Sequence, residues 1–262
     1  MTKMKDSAFA LVTGASRGLG MAFARELAER KQNLILVARS TECLNAFAAE
    51  LRRTKPIRVV ALPIDLTAPF AGQKLAQALS DCNLGVNLLV NNAGFGLRGE
   101  FRSLDVGRQV EMMRLNNAAA VELTYSLLPS LLEQRYKGII NVSSTAGFQP
   151  IPYASLYSAT KAFLTTFSLA LEQELRTYDV TVVTVCPGRL RPNGNAGTAQ
   201  AAKRKWASVT QTQEEVVLDA LRTLERGGGL TVPGALNKFS VFAQRLIPRK
   251  LVPRLVAKMS RA

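Results

Sequence analysis

The residues whose types and spacing best suit chemistry are Tyr157 and Lys161. On a helix, positions i and i+4 share a face, so the Lys161 ammonium would lie near the Tyr157 hydroxyl. A free tyrosine titrates near pH ~10 and is a poor base at neutrality, but a nearby cation favours the phenolate and lowers that value. Such a pair can give a proton to a carbonyl or take one from an alcohol. The chain contains no histidine. That removes Ser-His-Asp and Cys-His nucleophiles, His-ligated zinc and imidazole acid–base chemistry. Cys43, Cys82 and Cys186 are scattered without ligand spacing. They are expected to be small buried residues, and no metal site is expected.

A second constellation lies near the start, in Thr13-Gly14-Ala15-Ser16-Arg17-Gly18-Leu19-Gly20. Glycines between a strand and a helix make a tight turn, let backbone approach a pyrophosphate, and leave the helix's first N–H groups free for it. The spacing is G-x-x-x-G-x-G. It lacks the Gly-Lys-Ser/Thr ending of a P-loop, which argues against nucleoside triphosphate hydrolysis. A dinucleotide with a free ribose 2′-hydroxyl is normally met by Asp or Glu at the end of the second strand. Here that stretch reads Val37-Ala38-Arg39-Ser40. Arg39, with Arg17 in the glycine turn, suits a 2′-phosphate, so NADP(H) is expected over NAD(H).

These residues need a frame, and the apolar pattern supplies one. Runs at 8–13, 33–38, 58–63, 87–91, 138–142, 181–186 and 230–232 read as strands, most of them nearly continuous apolar segments. Helical spacing occupies 19–30, 41–54, 70–80, 119–133 and 159–178. The alternation predicts an α/β chain, a single doubly wound Rossmann domain over 1–262. Its seven-stranded sheet is mainly parallel, with helices on both faces. Ligands then sit at the C-terminal strand edge. The segment 187–211 reads as a lid or substrate loop. Thr212-Gln213-Glu214-Glu215 reads as a capping box for the helix after it.

With 262 residues, 47% apolar and 20% charged, the chain can build an ordinary core. Charge is the unusual quantity: 34 Lys and Arg against 19 Asp and Glu, a net +15. After Glu225 there is no acid and there are eight basic residues.

The motifs Thr13–Gly20, Asn91-Asn92-Ala93-Gly94, Tyr157-Ser158-Ala159-Thr160-Lys161 and Pro187-Gly188 stand in the order and spacing of the short-chain dehydrogenases/reductases, a family that residues 7–235 resemble. The resemblance implies Tyr157 as proton donor or acceptor, with Lys161 also binding the nicotinamide ribose. It implies Ser144 as the hydroxyl on the substrate carbonyl, with neighbouring Ser143 expected to point to the other face. Asn116 matches an asparagine of a proton relay. Asn117 makes the register ambiguous, and counting back from Leu123-Thr124 favours Asn116. Gly14, Ser16, Arg17, Gly18, Leu19, Gly20, Asn92, Ala93, Gly94, Pro187 and Gly188 would line the cofactor, and Asp65 would lie beside the adenine. Asn91 would steady the central strand. Asp65 and Asn91 read equally well as capping or turn residues. Pro192 stands where the family commonly has a threonine for the nicotinamide amide, and Thr198 or backbone groups would have to replace it.

The expected function is NADP-dependent hydride transfer between NADPH and a hydrophobic ketone, aldehyde or alcohol, an acyl chain among the candidates. The alternative is a cofactor-binding regulatory or scaffold protein with little turnover. The segment 235–262 is basic and amphipathic, and Val232-Pro233-Gly234, Asn237-Lys238 and Ile247-Pro248-Arg249 resemble a bacterial subgroup of the family compared with long-chain oxoacyl reductases. Three roles stay open for it: a peripheral membrane contact, a cap over a hydrophobic pocket with its charges on acyl-CoA phosphate, or a packed helix pair with a solvated basic side. A homodimer or homotetramer, a cytoplasmic or membrane-peripheral location, and no specific nucleic-acid partner complete the expectation.

Overall fold

Strand residues alternate between two apolar layers. In β1 (Phe9–Thr13), Phe9 and Leu11 face one layer while Ala10 and Val12 face the other. In β2 (Asn33–Ala38), Ile35 and Val37 part from Leu34 and Leu36 in the same way. A period of two with both sets buried means a sheet covered on both faces. The computed structural model describes residues 8–191, 210–244, 246–248 and 250–261, with side chains to 257. It adds β3 (Val59–Pro63), β4 (Val86–Asn91), β5 (Gly138–Val142), β6 (Thr181–Val185) and β7 (Gly229–Thr231). The seven strands pair in the order β3-β2-β1-β4-β5-β6-β7, and every pairing is parallel.

Helices α1 (Gly18–Glu29) and α2 (Thr41–Thr54) pack on one face. Helices α3 (Ala71–Asp81), α5 (Ala119–Leu132) and α6 (Ser155–Leu175) pack on the other. Helix α7 (Gln213–Glu225) joins the first set. It starts with the anticipated capping box: Thr212 Oγ1 accepts the Glu215 N–H, and the Glu215 carboxylate accepts the Thr212 N–H.

One helix was not anticipated. α4 (Val106–Met113) starts at Asp105, whose carboxylate accepts the Arg108 N–H at 2.7 Å. It runs through a π-helical turn, Arg114–Ala118, into α5. Val106, Val110 and Met113 are exposed, so its apolar residues trace no inward stripe. Helices α8 (Ala235–Gln244) and α9 (Val252–Arg261) end the chain.

The chain builds outward from β1 to β3, then returns to lay β4 on the other side of β1. At such a reversal the loops diverge and leave a crevice beyond the strand C-termini. Two sequence expectations change here. Cys186 is buried, but Cys43 and Cys82 are exposed. Cys43 stands in the first turn of α2 at the crevice edge, and Cys82 follows the last residue of α3, where the chain leaves the core. Most of the expected lid, 192–209 with Pro192 and Thr198, lies outside the described residues.

Candidate active site

The glycine turn is built by close approach. Gly14 has φ +66°, a left-handed conformation that favours glycine. A Cβ on Gly20 would fall 2.3 Å from the Gly14 carbonyl oxygen and 2.6 Å from Asn92 Nδ2. The first turn of α1 therefore rests directly on the loop. Asn92 ties the loop to β4: its Nδ2 donates to the Thr13 carbonyl at 2.8 Å. Thr13 Oγ1 accepts the N–H groups of Asn92 and Ala93, both at 2.9 Å, and donates to Val90 O. Gly20→Ala is expected to destabilise the fold by about 1–3 kcal/mol, the usual size of overpacking at a fixed backbone contact. Denaturant unfolding reads this directly, and an unchanged midpoint would show slack in the turn.

A cleft of ≈ 800 Å³ opens beside this turn. Gly14, Ser16, Arg17, Gly18 and Leu19 form one wall, with Arg39 at the end of β2. Asn92, Ala93 and Gly94 come from the end of β4, Ser144 from the end of β5, Tyr157 and Lys161 from α6, and Pro187 and Gly188 come after β6. Three expected site residues do not line it. Gly20 stands behind Gly14, and Asn116 is buried one layer below. Asp65 is exposed between Ile64 and Leu66, which do line the cleft. Its carboxylate accepts the Thr67 N–H at 2.9 Å and the Thr67 hydroxyl at 2.8 Å, so it closes a turn. The Thr67 N–H, helped by the Thr67 hydroxyl and Arg39 and opposed by slight burial, holds it below the usual carboxylate range.

Tyr157 and Lys161 rise from one face of α6 into the middle of the cleft. The Tyr157 ring packs against Gly96, where an added Cβ would come within 3.1 Å of the ring carbons. Burial pushes its hydroxyl above the ordinary value, and a hydrogen bond with Ser144 pulls it partly back. Lys161 is buried and its Nζ donates to the Val142 carbonyl at 2.9 Å. Burial brings its ammonium down to about 8, opposed by Cys186. The expected lowering of the phenol by the lysine is therefore corrected: burial and the Ser144 hydrogen bond set the shift, and the ammonium is directed at a strand carbonyl.

Ser144 Oγ accepts the Ala146 N–H at 3.1 Å and donates to Pro187 O at 3.5 Å. Ser143 turns inward, with its Oγ on the Lys161 carbonyl at 2.9 Å. Asn116 sits in the π-helical turn and stitches two segments together. Its Oδ1 accepts the Phe95 N–H at 3.1 Å, and its Nδ2 donates to Phe95 O and Thr160 Oγ1, each at 3.0 Å. A Cβ on Gly94 would lie 2.7 Å from Asn116 Oδ1 and 3.8 Å from Lys161 Nζ, so the two groups meet across that glycine. Asn117 instead donates to the Thr160 carbonyl. Asn91 Nδ2 bonds Thr124 Oγ1 and Asn141 Oδ1, in the core behind the site.

Arg39 carries a partner that sequence reasoning missed. Its guanidinium donates to Glu111 on α4 at 2.8 Å. Glu111 also pairs with Arg108, whose guanidinium lies 4.7 Å from the Phe95 ring centroid.

A profile described as short chain dehydrogenase matches residues 8–203. The chain belongs to the short-chain dehydrogenase family. It is 33% identical over 200 residues to a ketoacyl reductase, HetN, of Nostoc sp., covering 76% of this chain and 69% of that protein. It is 32% identical over 183 residues to the very-long-chain 3-oxoacyl-CoA reductase of Bos taurus, covering 68% of this chain and 58% of the relative. Among solved structures, a short-chain dehydrogenase from Sphingobium yanoikuyae in complex with NADPH superposes with a TM-score of 0.77 at 31% identity, covering 91% and 93% of the two chains.

In this short-chain dehydrogenase the base of the segment after β6 is held by Gln211, which no motif marked, and by Asn237, which the sequence marked only within the C-terminal resemblance. The Gly188 N–H donates to Gln211 Oε1 at 3.3 Å, and Asn237 Nδ2 donates to the same oxygen at 2.9 Å and to Pro233 O. Asn237 packs against Gly188 so closely that a Cβ there would come within 2.4 Å of it. As a cap over a hydrophobic pocket, one of the roles open to it, segment 235–262 would border the cleft. Among its described residues none lines the cleft, and Asn237 supports it from behind.

Proposed function

We propose that this dehydrogenase moves hydride between NADP(H) and the carbonyl/alcohol carbon of a hydrophobic substrate. The observation that carries the reading is the Ser144–Tyr157 hydroxyl pair set in a cleft that also holds the glycine turn and Arg39. The residues suit a dinucleotide. Gly18 lines the cleft with φ +59°, a Cβ on it would meet nothing nearer than Gln213 Nε2 at 4.0 Å, and α1 opens there with no side chain capping its first N–H groups. The nicotinamide supplies or accepts the hydride when bound. The turn from Gly14 to Leu19 would hold the diphosphate, Arg17 and Arg39 a 2′-phosphate, and Asn92 to Gly94 with Pro187 and Gly188 the rest of the cofactor. Ser144 then orients the substrate oxygen, Tyr157 passes the proton at its hydroxyl, and Lys161 and Asn116 position it. Nothing in the site favours the scaffold alternative.

Phe95 and Leu190 on the cleft wall support an apolar substrate. So do the relatives: the ketoacyl and 3-oxoacyl-CoA reductases, and a bulky-bulky ketone specific alcohol dehydrogenase from Comamonas testosteroni at 27% identity and TM-score 0.76. Exposed Tyr125 on α5 and Phe163 on α6 support a homodimer or homotetramer. No helix among the described residues is long and apolar enough to cross a membrane. The direct experiment monitors loss of NADPH absorbance with ketones, aldehydes and 3-oxoacyl thioesters of increasing chain length. Turnover that rises with apolar size is expected, and no turnover across the panel would overturn the reading.

Cofactor choice is tested with fragments. The protein is expected to bind 2′,5′-ADP more tightly than 5′-AMP. Arg39→Asp should weaken 2′,5′-ADP by about tenfold or more, the size of a charge-assisted hydrogen bond. Glu111 competes for the same guanidinium in a half-exposed pair. Glu111→Gln should therefore tighten 2′,5′-ADP by about 2- to 5-fold and leave 5′-AMP unchanged. Equal binding of the two fragments by the starting protein would exclude the NADP preference.

A further inference from the structure

Helix α8 is amphipathic the wrong way round. Its buried residues are Asn237 and Val241, while Leu236 is 61% exposed, Phe239 69% and Phe242 59%. Leu246, just past its end, is 74% exposed. Steps of three residues along a helix share a face, so Leu236, Phe239 and Phe242 make one continuous stripe, and exposed Leu246 follows it in the chain. A helix of an isolated globular protein turns such a stripe inward. Scattered exposed leucines are ordinary, but a contiguous apolar face marks a contact surface. Leu251 and Leu255, at the start of α9, are exposed too.

The charge around the stripe selects its occupant. Lys238 on the same helix is exposed, and so are Lys250 and Arg254 further along the chain. From Arg226 to the last residue the chain has eight basic residues and no acid. A second copy meeting this face through a two-fold axis would set like charge against like. An anionic bilayer answers both features: apolar side chains enter the acyl boundary while lysine and arginine meet the headgroup phosphates. We propose that the outer face of α8 and the start of α9 dock this protein on the surface of an anionic lipid bilayer. The helix that carries this face also supports the candidate active site, since Asn237 on its opposite side packs against Gly188 at the cleft.

Vesicle flotation of the full chain tests this. The protein is expected to float with phosphatidylglycerol/phosphatidylcholine vesicles and to stay behind with phosphatidylcholine alone. The double variant Phe239→Ser, Phe242→Ser should lose about tenfold or more in vesicle affinity, because two large apolar side chains no longer insert. Both side chains are more than half exposed, so the fold is not at stake, and unchanged thermal unfolding serves as the check. Lys250→Glu with Arg254→Glu should lose a similar amount, whereas Lys74→Glu on α3, the same kind of charge change elsewhere, should not. Three results overturn the proposal. The first is no flotation with the anionic vesicles. The second is a serine variant that floats like the starting protein, which makes the binding a general effect of the +15 charge. The third is a dimer that the serine substitutions dissolve, without any lipid binding, which makes the occupant a second copy.

Discussion

Tyr157→Phe is expected to leave nucleotide binding intact and to lower turnover by about 100-fold or more, the loss typical of a removed acid–base group. The substitution deletes one oxygen and keeps the ring that packs against Gly96. The burial that raises the phenol keeps it protonated at neutral pH, which is the state a proton donor needs. The reductive direction should therefore run without a tyrosine-linked ionisation through neutrality. The oxidative direction needs the phenolate and should gain rate as pH rises. Turnover in both directions across pH, with fluorescence titration of the nucleotide, measures all three effects. A variant that keeps most of its activity would place the proton on another group.

Lys161→Met should behave in an opposite pair of ways: turnover falls by about 100-fold or more, and the protein without nucleotide becomes more stable at pH 7. The ammonium is held at about 8 against an ordinary 10.5. Between those values the unfolded chain keeps a proton that the folded chain has released, so stability rises with pH across that interval. Below pH 8 the burial penalty is present in full, at about 3 kcal/mol for a shift of this size. A neutral side chain of similar length removes it. The advantage of the variant should shrink as pH climbs from 8 and vanish above 10.5. Cys186 is raised to about 11 by burial although Lys161 pulls it down, so below pH 10 it stays protonated in both folded proteins and leaves the comparison unchanged there. Chemical denaturation from pH 6 to pH 10 reads the trend. A variant less stable than its parent at pH 7 would mean that the lost bond to Val142 outweighs the buried charge.

The frame and the glycine turn were legible because they rest on local rules. Strands buried on both faces leave continuous apolar runs, a tight strand-to-helix turn demands glycine, and a helical i, i+4 pair needs no knowledge of the rest of the chain. What stayed hidden depends on residues far apart. Arg39 looked free because Glu111, its partner, is 72 positions away on a helix with no inward apolar stripe. Lys161 looked like a cation that would ease the phenol's ionisation. Only the assembled core shows how deeply it is buried and that its ammonium donates to the Val142 carbonyl. Gln211 carries no motif, Asn237 stood out only as half of an Asn-Lys pair in the C-terminal resemblance, and the two meet only because β6 and β7 are neighbours. Cys43 and Cys82 were misjudged because residue type says little about whether a position faces the interior.

The π-helical turn at Arg114–Ala118 separates the upkeep of the core from the upkeep of the site. Its bond from the Ala119 N–H to the Arg114 carbonyl spans five residues instead of four. One extra residue is absorbed there without rotating α5. Losing a residue inside the turn would let ordinary helix close, with Leu123, Leu127 and Leu131 still facing the sheet. Losing one further along, within α5, would swing every later side chain by about 100° and strip that face from the core. The wide turn is thus dispensable for folding, yet it is what carries Asn116 out to Phe95 and Thr160. A chain shortened by that one residue is expected to fold with its core intact and to lack only the asparagine contacts.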